Sequence, residues 1–317
     1  MTQIANDIPV PVRARPAVGG GLLLAVISAT TFGLSGPLAA GLLANGWSPG
    51  AIVLGRMGIA AVAVAPFAVR ALRGRWRLLR GQIGQIMVYG VLAVAGAQFC
   101  YFSAVATMDV APALLIEYTA PAAVVAWLWL RRGQRPRRLT VAGAAVAAVG
   151  LILVLDLTSG AHLAWSGVAW ALAAMIGATA YFLISADTDT GLPPLALAGV
   201  GLTIGAVTLG VLGVTGLLPM RASAAPVAYA VGDLPWWAPF ALLGLVTAAL
   251  AYVTGIEASR RLGSRVASFV ALLEVVAAVV FAWLLVDQLP GPLQFLGGLL
   301  VVGGVVAVKL GDRTPVS

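Results

Sequence analysis

Three ionisable side chains sit where an apolar chain can least easily hold them. Arg56, Glu117 and Glu274 each lie well inside a hydrophobic run, and a charged group near the middle of a membrane helix costs at least about 2.5 kcal/mol on insertion scales. Such groups usually face protein or a water-filled cavity, so the three are candidate members of one site. Arg56 and Glu117 stand about seven and eight residues from the same end of their runs, roughly 10 to 12 Å deep at about 1.5 Å per residue. The chemistry open to them is charge pairing and proton exchange. An Arg56–Glu117 pair would hold Glu117 ionised in a structural role, whereas an unpaired Glu117 could take up an ammonium group or a proton. Arg56 could engage a carboxylate, or instead bond helix ends and loop carbonyls.

The segment that carries Glu117 runs from Asp109 to Arg132, DVAPALLIEYTAPAAVVAWLWLRR. It also holds Pro121, which removes a backbone hydrogen bond that lipid cannot replace. The surrounding chain is built on the same scale. Of its 317 residues 61% are hydrophobic and 9% charged, with a mean hydropathy of +1.01, against about 25% charged residues in soluble domains. The composition describes an integral membrane protein. The pI near 10.5 does not point to nucleic acid, because the arginines stand in short clusters between apolar runs, the pattern of membrane topology. The single cysteine, Cys100, excludes an intrachain disulfide.

Apolar runs at about 18–44, 50–69, 82–107, 110–130, 139–156, 163–186, 193–218, 236–258, 265–286 and 290–310 can each reach across a core of roughly 30 Å. The fold expected is an all-α polytopic membrane protein of ten spans. The first run is too long for a signal-peptide core and should remain in the mature chain. With the N-terminus inside, one side holds Arg13 and Arg15, then Arg70, Arg73, Arg75, Arg77 and Arg80, then Arg131, Arg132, Arg135, Arg137 and Arg138. The same side receives Arg260, Arg261 and Arg265, and finally Lys309 and Arg313; the other holds Arg221 alone. By the positive-inside rule both termini are cytoplasmic in the plasma membrane. The inside loop Ala186 to Pro194 has no basic residue and carries Asp187 and Asp189, which makes the sixth and seventh spans the weakest assignment.

An offset of 154 residues lays Ala104–Val154 on Ala258–Val308 without a gap, pairing Ala113 with Ala267, Trp129 with Trp283, Gln134 with Gln288, Pro136 with Pro290, Gly143 with Gly297 and Gly150 with Gly304. The basic loop RRGQRPRR then falls on LVDQLPGP, and VATMDVA on SRRLGSR. The same element carries its arginines at opposite ends in the two copies. Five spans per copy is an odd number, so the second copy must insert upside down, and sites in such inverted repeats lie near the midplane between the halves. The expected division is a tail at 1–17, a first repeat at 18–157, a second at 158–310 and a tail at 311–317. Glu274 falls opposite Ala120, one helical turn from Glu117, which puts the two acids on the same face of equivalent helices. The recurring glycines read as close-packing positions.

Polar and aromatic residues recur on the partner runs. Gln98, Tyr101 and Ser103 lie on the third, Tyr118 beside Glu117 on the fourth, Tyr181 and Ser185 on the sixth, and Tyr252 and Thr254 on the eighth. On the first, Ser28, Thr30, Thr31 and Ser35 precede Gly36-Pro37, read as an interruption of the helix that frees backbone groups for a ligand. Hydroxyls at such positions also serve simply to bond across helices.

The run Ala113-Leu-Leu-Ile-Glu117-Tyr118-Thr119-Ala120-Pro121, with the ten runs and two inverted halves, resembles the drug/metabolite transporter superfamily, and within it the EamA-type carriers. The acidic-aromatic-x-small-proline pattern is similar to the threonine and homoserine exporter branch. The resemblance implies a secondary transporter that exports a small polar metabolite such as an amino acid by alternating access. It also implies a central cavity, the small solute and membrane lipid as partners, and protons as the candidate coupling ion. One departure is that Glu274-Val275 stands where the family commonly has Glu-Pro, which removes the proline that would kink the ninth run. A multidrug or lipophilic-metabolite exporter is the alternative within this class, and a non-transporting membrane assembly subunit the alternative outside it.

The only lysine, Lys309, is followed by Leu310, so no Walker A loop and no ATP site are present. The only histidine, His162, lies in an outside loop, which excludes a histidine metal site or a serine-histidine triad in the membrane. No cofactor, metal or enzymatic activity is expected.

Overall fold

A computed structural model describes residues 18–105, 107–108, 110–155, 164–287 and 291–312. Arg13, Arg15, Asp109, His162, Gln288, Pro290, the tail at 1–17, residues 313–317 and the boundary at 157–158 lie outside the described residues. In chain order the helices are α1 Val18–Gly33, α2 Ser35–Ala44, α3 Pro49–Ala71, α4 Trp76–Gly81, α5 Ile83–Val88, a π-helical stretch Tyr89–Gly96, α6 Ala97–Val105, α7 Val110–Glu117, α8 Ala120–Arg132, α9 Arg138–Val154, α10 Trp165–Ser185 and α11 Pro194–Val214. After the hairpin β1 Val227–Tyr229 and β2 Gly232–Leu234 come α12 Trp237–Gly244, a π-helical stretch Leu245–Leu250, α13 Ala251–Val270, α14 Leu273–Val286 and α15 Pro292–Gly311.

Among the described residues eight helical stretches are long and apolar enough to cross a bilayer: Gly19–Ala44, Pro49–Ala71, Ile83–Ala104, Ala113–Arg132, Trp165–Ser185, Pro194–Val214, Trp237–Val270 and Pro292–Gly311. The helices α9 and α14 have 17 and 14 residues, about 25 and 21 Å against a core of about 30 Å. Eight spans are shown by length and composition, and α9 and α14 occupy the fifth expected run and most of the ninth. The expected gap between the eighth and ninth runs falls at Gly263, where α13 breaks into two helices across a kink; its φ of 79° and ψ of 159° suit a residue without Cβ.

Three of the expected apolar runs, the first, the fourth and the ninth, are interrupted. The first breaks at Leu34, not at Gly36-Pro37: Pro37 has no N–H for the Gly33 carbonyl four residues back, so the ladder fails a turn before the proline. The fourth breaks at Tyr118–Thr119, with Pro121 in the first turn of α8 and unable to bond the Glu117 carbonyl. The third interruption lies at Ala271–Leu272, where the missing proline had removed the expectation of a kink. The 154-residue offset places it against Glu117–Tyr118. Here tertiary contact stands in for local chemistry: a Cβ on Gly33 would lie 2.7 Å from the Glu274 carbonyl oxygen, so α1 leans directly on the start of α14.

The repeat is legible in three dimensions. The second π-helical stretch, Leu245–Leu250, corresponds by the same offset to 91–96, inside the first, so the two copies carry the same distortion. The helices α9 and α15 pack antiparallel with glycine on glycine. A Cβ on Gly143 would stand 2.8 Å from Gly304 O, and one on Gly150 2.7 Å from Gly297 O. Since Gly143 corresponds to Gly297 and Gly150 to Gly304, each contact is the image of the other under a two-fold exchange of the halves.

The arginine clusters gather at one end. There Arg265 pairs with Asp312 at 2.5 Å, Arg260 donates to the Leu192 carbonyl, and Asp187 of the loop without basic residues accepts from Gln85 Nε2 at 3.0 Å. The β-hairpin belongs to the other end. Its Tyr229 hydroxyl donates to Leu38 O at 2.8 Å and Ala230 N to Leu285 O at 2.7 Å. Burial pushes the Tyr229 hydroxyl up to about 12, above the usual value of about 10 in the unfolded chain. The neutral form's stabilisation is therefore complete below about pH 10 and is lost as the pH rises through about 12. Tyr229→Phe is expected to cost about 1 kcal/mol at neutral pH and to remove this alkaline component, as read by unfolding temperature against pH.

Candidate functional site

The interrupted helices, with Ala93 of the first π-helical stretch, line one cavity of about 650 Å³. Each expected site residue lines it: Arg56 from α3, Gln98 and Tyr101 from α6, Glu117 at the end of α7, Tyr118 in the turn, Tyr181 from α10, Tyr252 from α13 and Glu274 from α14. Gly36, Pro37 and Pro121 line it too. The cavity extends from Ser259 and Ser268 to Leu43, Leu155 and Gln294, towards the end opposite the arginine clusters.

Arg56 is 3% exposed and already held. Its Nη1 donates to Gln98 Oε1 at 3.0 Å and its Nη2 to the Thr247 carbonyl at 2.7 Å, while the guanidinium lies 5.5 Å from the centre of the Phe32 ring. Thr247 belongs to the second π-helical stretch, so Arg56 ties the first half to the distorted turn of the second. The two ion pairs among the described residues are Arg261–Glu257 and Arg265–Asp312; the Arg56–Glu117 pair left open by the sequence is not formed. The acids sit differently. Glu117 is the last residue of α7, at the negative end of its dipole, and Glu274 lies in the first turn of α14, beside free amides at the positive end. Tyr118 and Glu274 lie close together on the cavity wall, so the residue next to one acid neighbours the other. Gln98 and Tyr252, both against Arg56, are equivalent under the 154-residue offset.

A model of the EamA-like transporter family matches residues 19–156 and again residues 165–310. The chain belongs to that family. No curated protein matches it significantly. A solved crystal structure, described only as that of a protein, is 23% identical, covers 93% of this chain and 99% of its own, and superposes with a TM-score of 0.72. At that identity the likeness concerns the fold. The chain is thus an EamA-like, transporter-type integral membrane protein.

In this EamA-like cavity several walls carry no sequence signal of function. Phe32, Phe102 and Phe182 line it yet read as lipid-facing residues of apolar runs. Phe32 meets Tyr252 edge-on at 5.3 Å, Tyr252 meets Tyr181 at 5.6 Å, and Tyr181 stacks on Tyr89 at 6.1 Å, a ladder of rings from the wall into the core. Other polar residues bond structurally. Ser28 donates across the halves to Ala251 O at 2.8 Å, and Thr31, Ser103 and Thr254 return their hydroxyls to their own helices. Arg56→Lys keeps the charge but cannot meet Gln98 and the Thr247 carbonyl as a planar fork does. It is expected to lower the unfolding free energy by about 2 kcal/mol and to slow substrate exchange about tenfold, measured by denaturation and vesicle counterflow.

Proposed function

We propose that the chain is a secondary active transporter that exports a small polar metabolite, an amino acid or related zwitterion, by alternating access of its two inverted halves. The observation that carries the reading is a cavity at the junction of the repeats with one unpaired acid from each copy. In this reading Glu117 accepts the substrate ammonium group or a coupling proton. Arg56 exchanges its Gln98 contact for the substrate carboxylate, and Tyr101, Tyr118, Tyr181 and Tyr252 sense shape. The interrupted helices offer backbone groups to the ligand. The repeats divide near residues 157–158, and the arginine-rich end faces the cytoplasm with both termini. The glutamate-tyrosine-proline pattern at 117–121 supports kinship with the threonine and homoserine exporters in this reading.

A second reading, a lipophilic-cation exporter, is favoured by the aromatic ladder and by the engagement of Arg56 with protein groups. The test is purified protein in vesicles, with labelled amino acids and cationic drugs competed against one another. Exchange of amino acids supports the first reading, and exchange of cations alone replaces it with the second. Transport indifferent to an imposed pH gradient rejects proton coupling.

A further inference from the structure

We propose a second binding site, for the phosphate group of an anionic phospholipid, in a cavity of about 480 Å³ at the arginine-rich end. It lies apart from the central cavity and does not depend on the transport reading. Its walls come from both repeats: Arg132, Arg135 and Arg137 around the end of α8 and the start of α9, and Arg265 with Asp312 from the second copy.

Three features point to an anion. The first is charge: Arg132, Arg135 and Arg137 form no ion pair among the described residues, and Arg265, though paired through Nη1, leaves its buried Nε without a partner. The second is that both acids in the wall are engaged. Asp312 accepts from Arg265 at 2.5 Å, and Asp187 accepts from Gln85 Nε2 and from the Asp189 amide, each at 3.0 Å, so an incoming anion does not meet a bare carboxylate. The third is that α9, 17 residues long, begins at this wall with no side-chain cap on its N-terminal amides, which present a positive dipole end. A lipid is indicated over a soluble anion because Trp127 and Leu128 complete the wall. The Trp127 ring is exposed beneath the Arg131 guanidinium, 5.2 Å from its centre, as an aromatic at the membrane interface would be. Since Arg265 also donates to Gln134 O of the first repeat at 3.3 Å, a bound phosphate would sit where the two halves meet.

The full chain in detergent is titrated with phosphatidylglycerol, with phosphatidylcholine, and with inorganic phosphate at constant ionic strength, following the unfolding temperature. Phosphatidylglycerol alone is expected to give a saturable rise. Arg135→Gln with Arg137→Gln should weaken its binding about fivefold per arginine removed, while Arg73→Gln with Arg75→Gln, the same charge change on another loop at this end, should leave it within about twofold. Should the double variant not fold, Arg132→Gln alone is expected to give the fivefold loss. Equal loss in the control pair reduces the effect to surface charge and overturns the proposal, as does equal protection by phosphatidylcholine. Protection by inorganic phosphate to the same extent assigns the cavity to a soluble anion and overturns the lipid.

Discussion

Glu274→Gln is expected to reduce substrate exchange by about two orders of magnitude without unfolding the protein. The substitution keeps size and shape, so packing in the first turn of α14 is preserved. What it removes is a carboxylate that lines the cavity; if the transport reading brings the substrate ammonium group against it as well as against Glu117, losing one partner of a desolvated charge contact costs about 2 to 5 kcal/mol, at least about thirtyfold in binding. Glu117→Gln should behave differently. Under the proposed assignment it should abolish movement driven by a pH gradient while leaving part of the gradient-independent exchange. Counterflow and gradient-driven uptake, measured side by side in the same vesicles, separate the two. Wild-type exchange by a folded Glu274→Gln protein would show that the acid serves only the fold.

Gly150→Leu is expected to prevent recovery of folded protein. The added Cβ would stand 2.6 Å from the Val301 amide nitrogen and 2.7 Å from Gly297 O. These are backbone atoms, which cannot move aside as a side-chain tip can. Overpacking costs about 1 to 3 kcal/mol where side chains can adjust, and here α9 and α15 must separate. Gly303→Leu, one residue from the contact and with open space where its Cβ would be, is the control and should purify normally. Size-exclusion profiles and unfolding temperatures of the two variants check the claim, and a monodisperse Gly150→Leu protein would count against the glycine contact as a fixed seam.

Much of this was readable from residues alone because charge and glycine carry strong constraints in an apolar chain. The arginine clusters trace the end at which α8, α13 and α15 meet, and the matched glycines announce a seam because small residues are what let helix backbones touch. Glu117 and Glu274 were found by their cost. What escaped has no compositional mark. The π-helical stretches YGVLAVAG and LVTAAL look like ordinary apolar helix, although one of them supplies the carbonyl that anchors Arg56. The interruption at Ala271–Leu272 lacks the proline that marks its counterpart, since contact from Gly33 and α1 takes over that work. Phe32, Phe102 and Phe182 could not be told from lipid-facing phenylalanine, because hydropathy does not record which side of a helix meets a cavity. The kink at Gly263 and the interruption at Ala271–Leu272 divide the ninth run between the end of α13 and α14, so helix length alone does not recover the ten runs.

The hairpin Val227–Leu234 occupies the connection which in the first repeat is the arginine-bearing α4. One linker is helical and rich in arginine; the other is an arginine-free β-hairpin fastened to α2 through Tyr229 and to α14 through Ala230. The two halves are thus alike in their helices and unlike in their fastenings. A machine of two identical inverted halves would have no preferred resting direction. Under the proposed alternating access, an end state that keeps both fastenings gains about 1 kcal/mol for each, a bias of about fivefold apiece in population, so the two end states of that cycle are expected to be unequal before any solute or gradient acts on them.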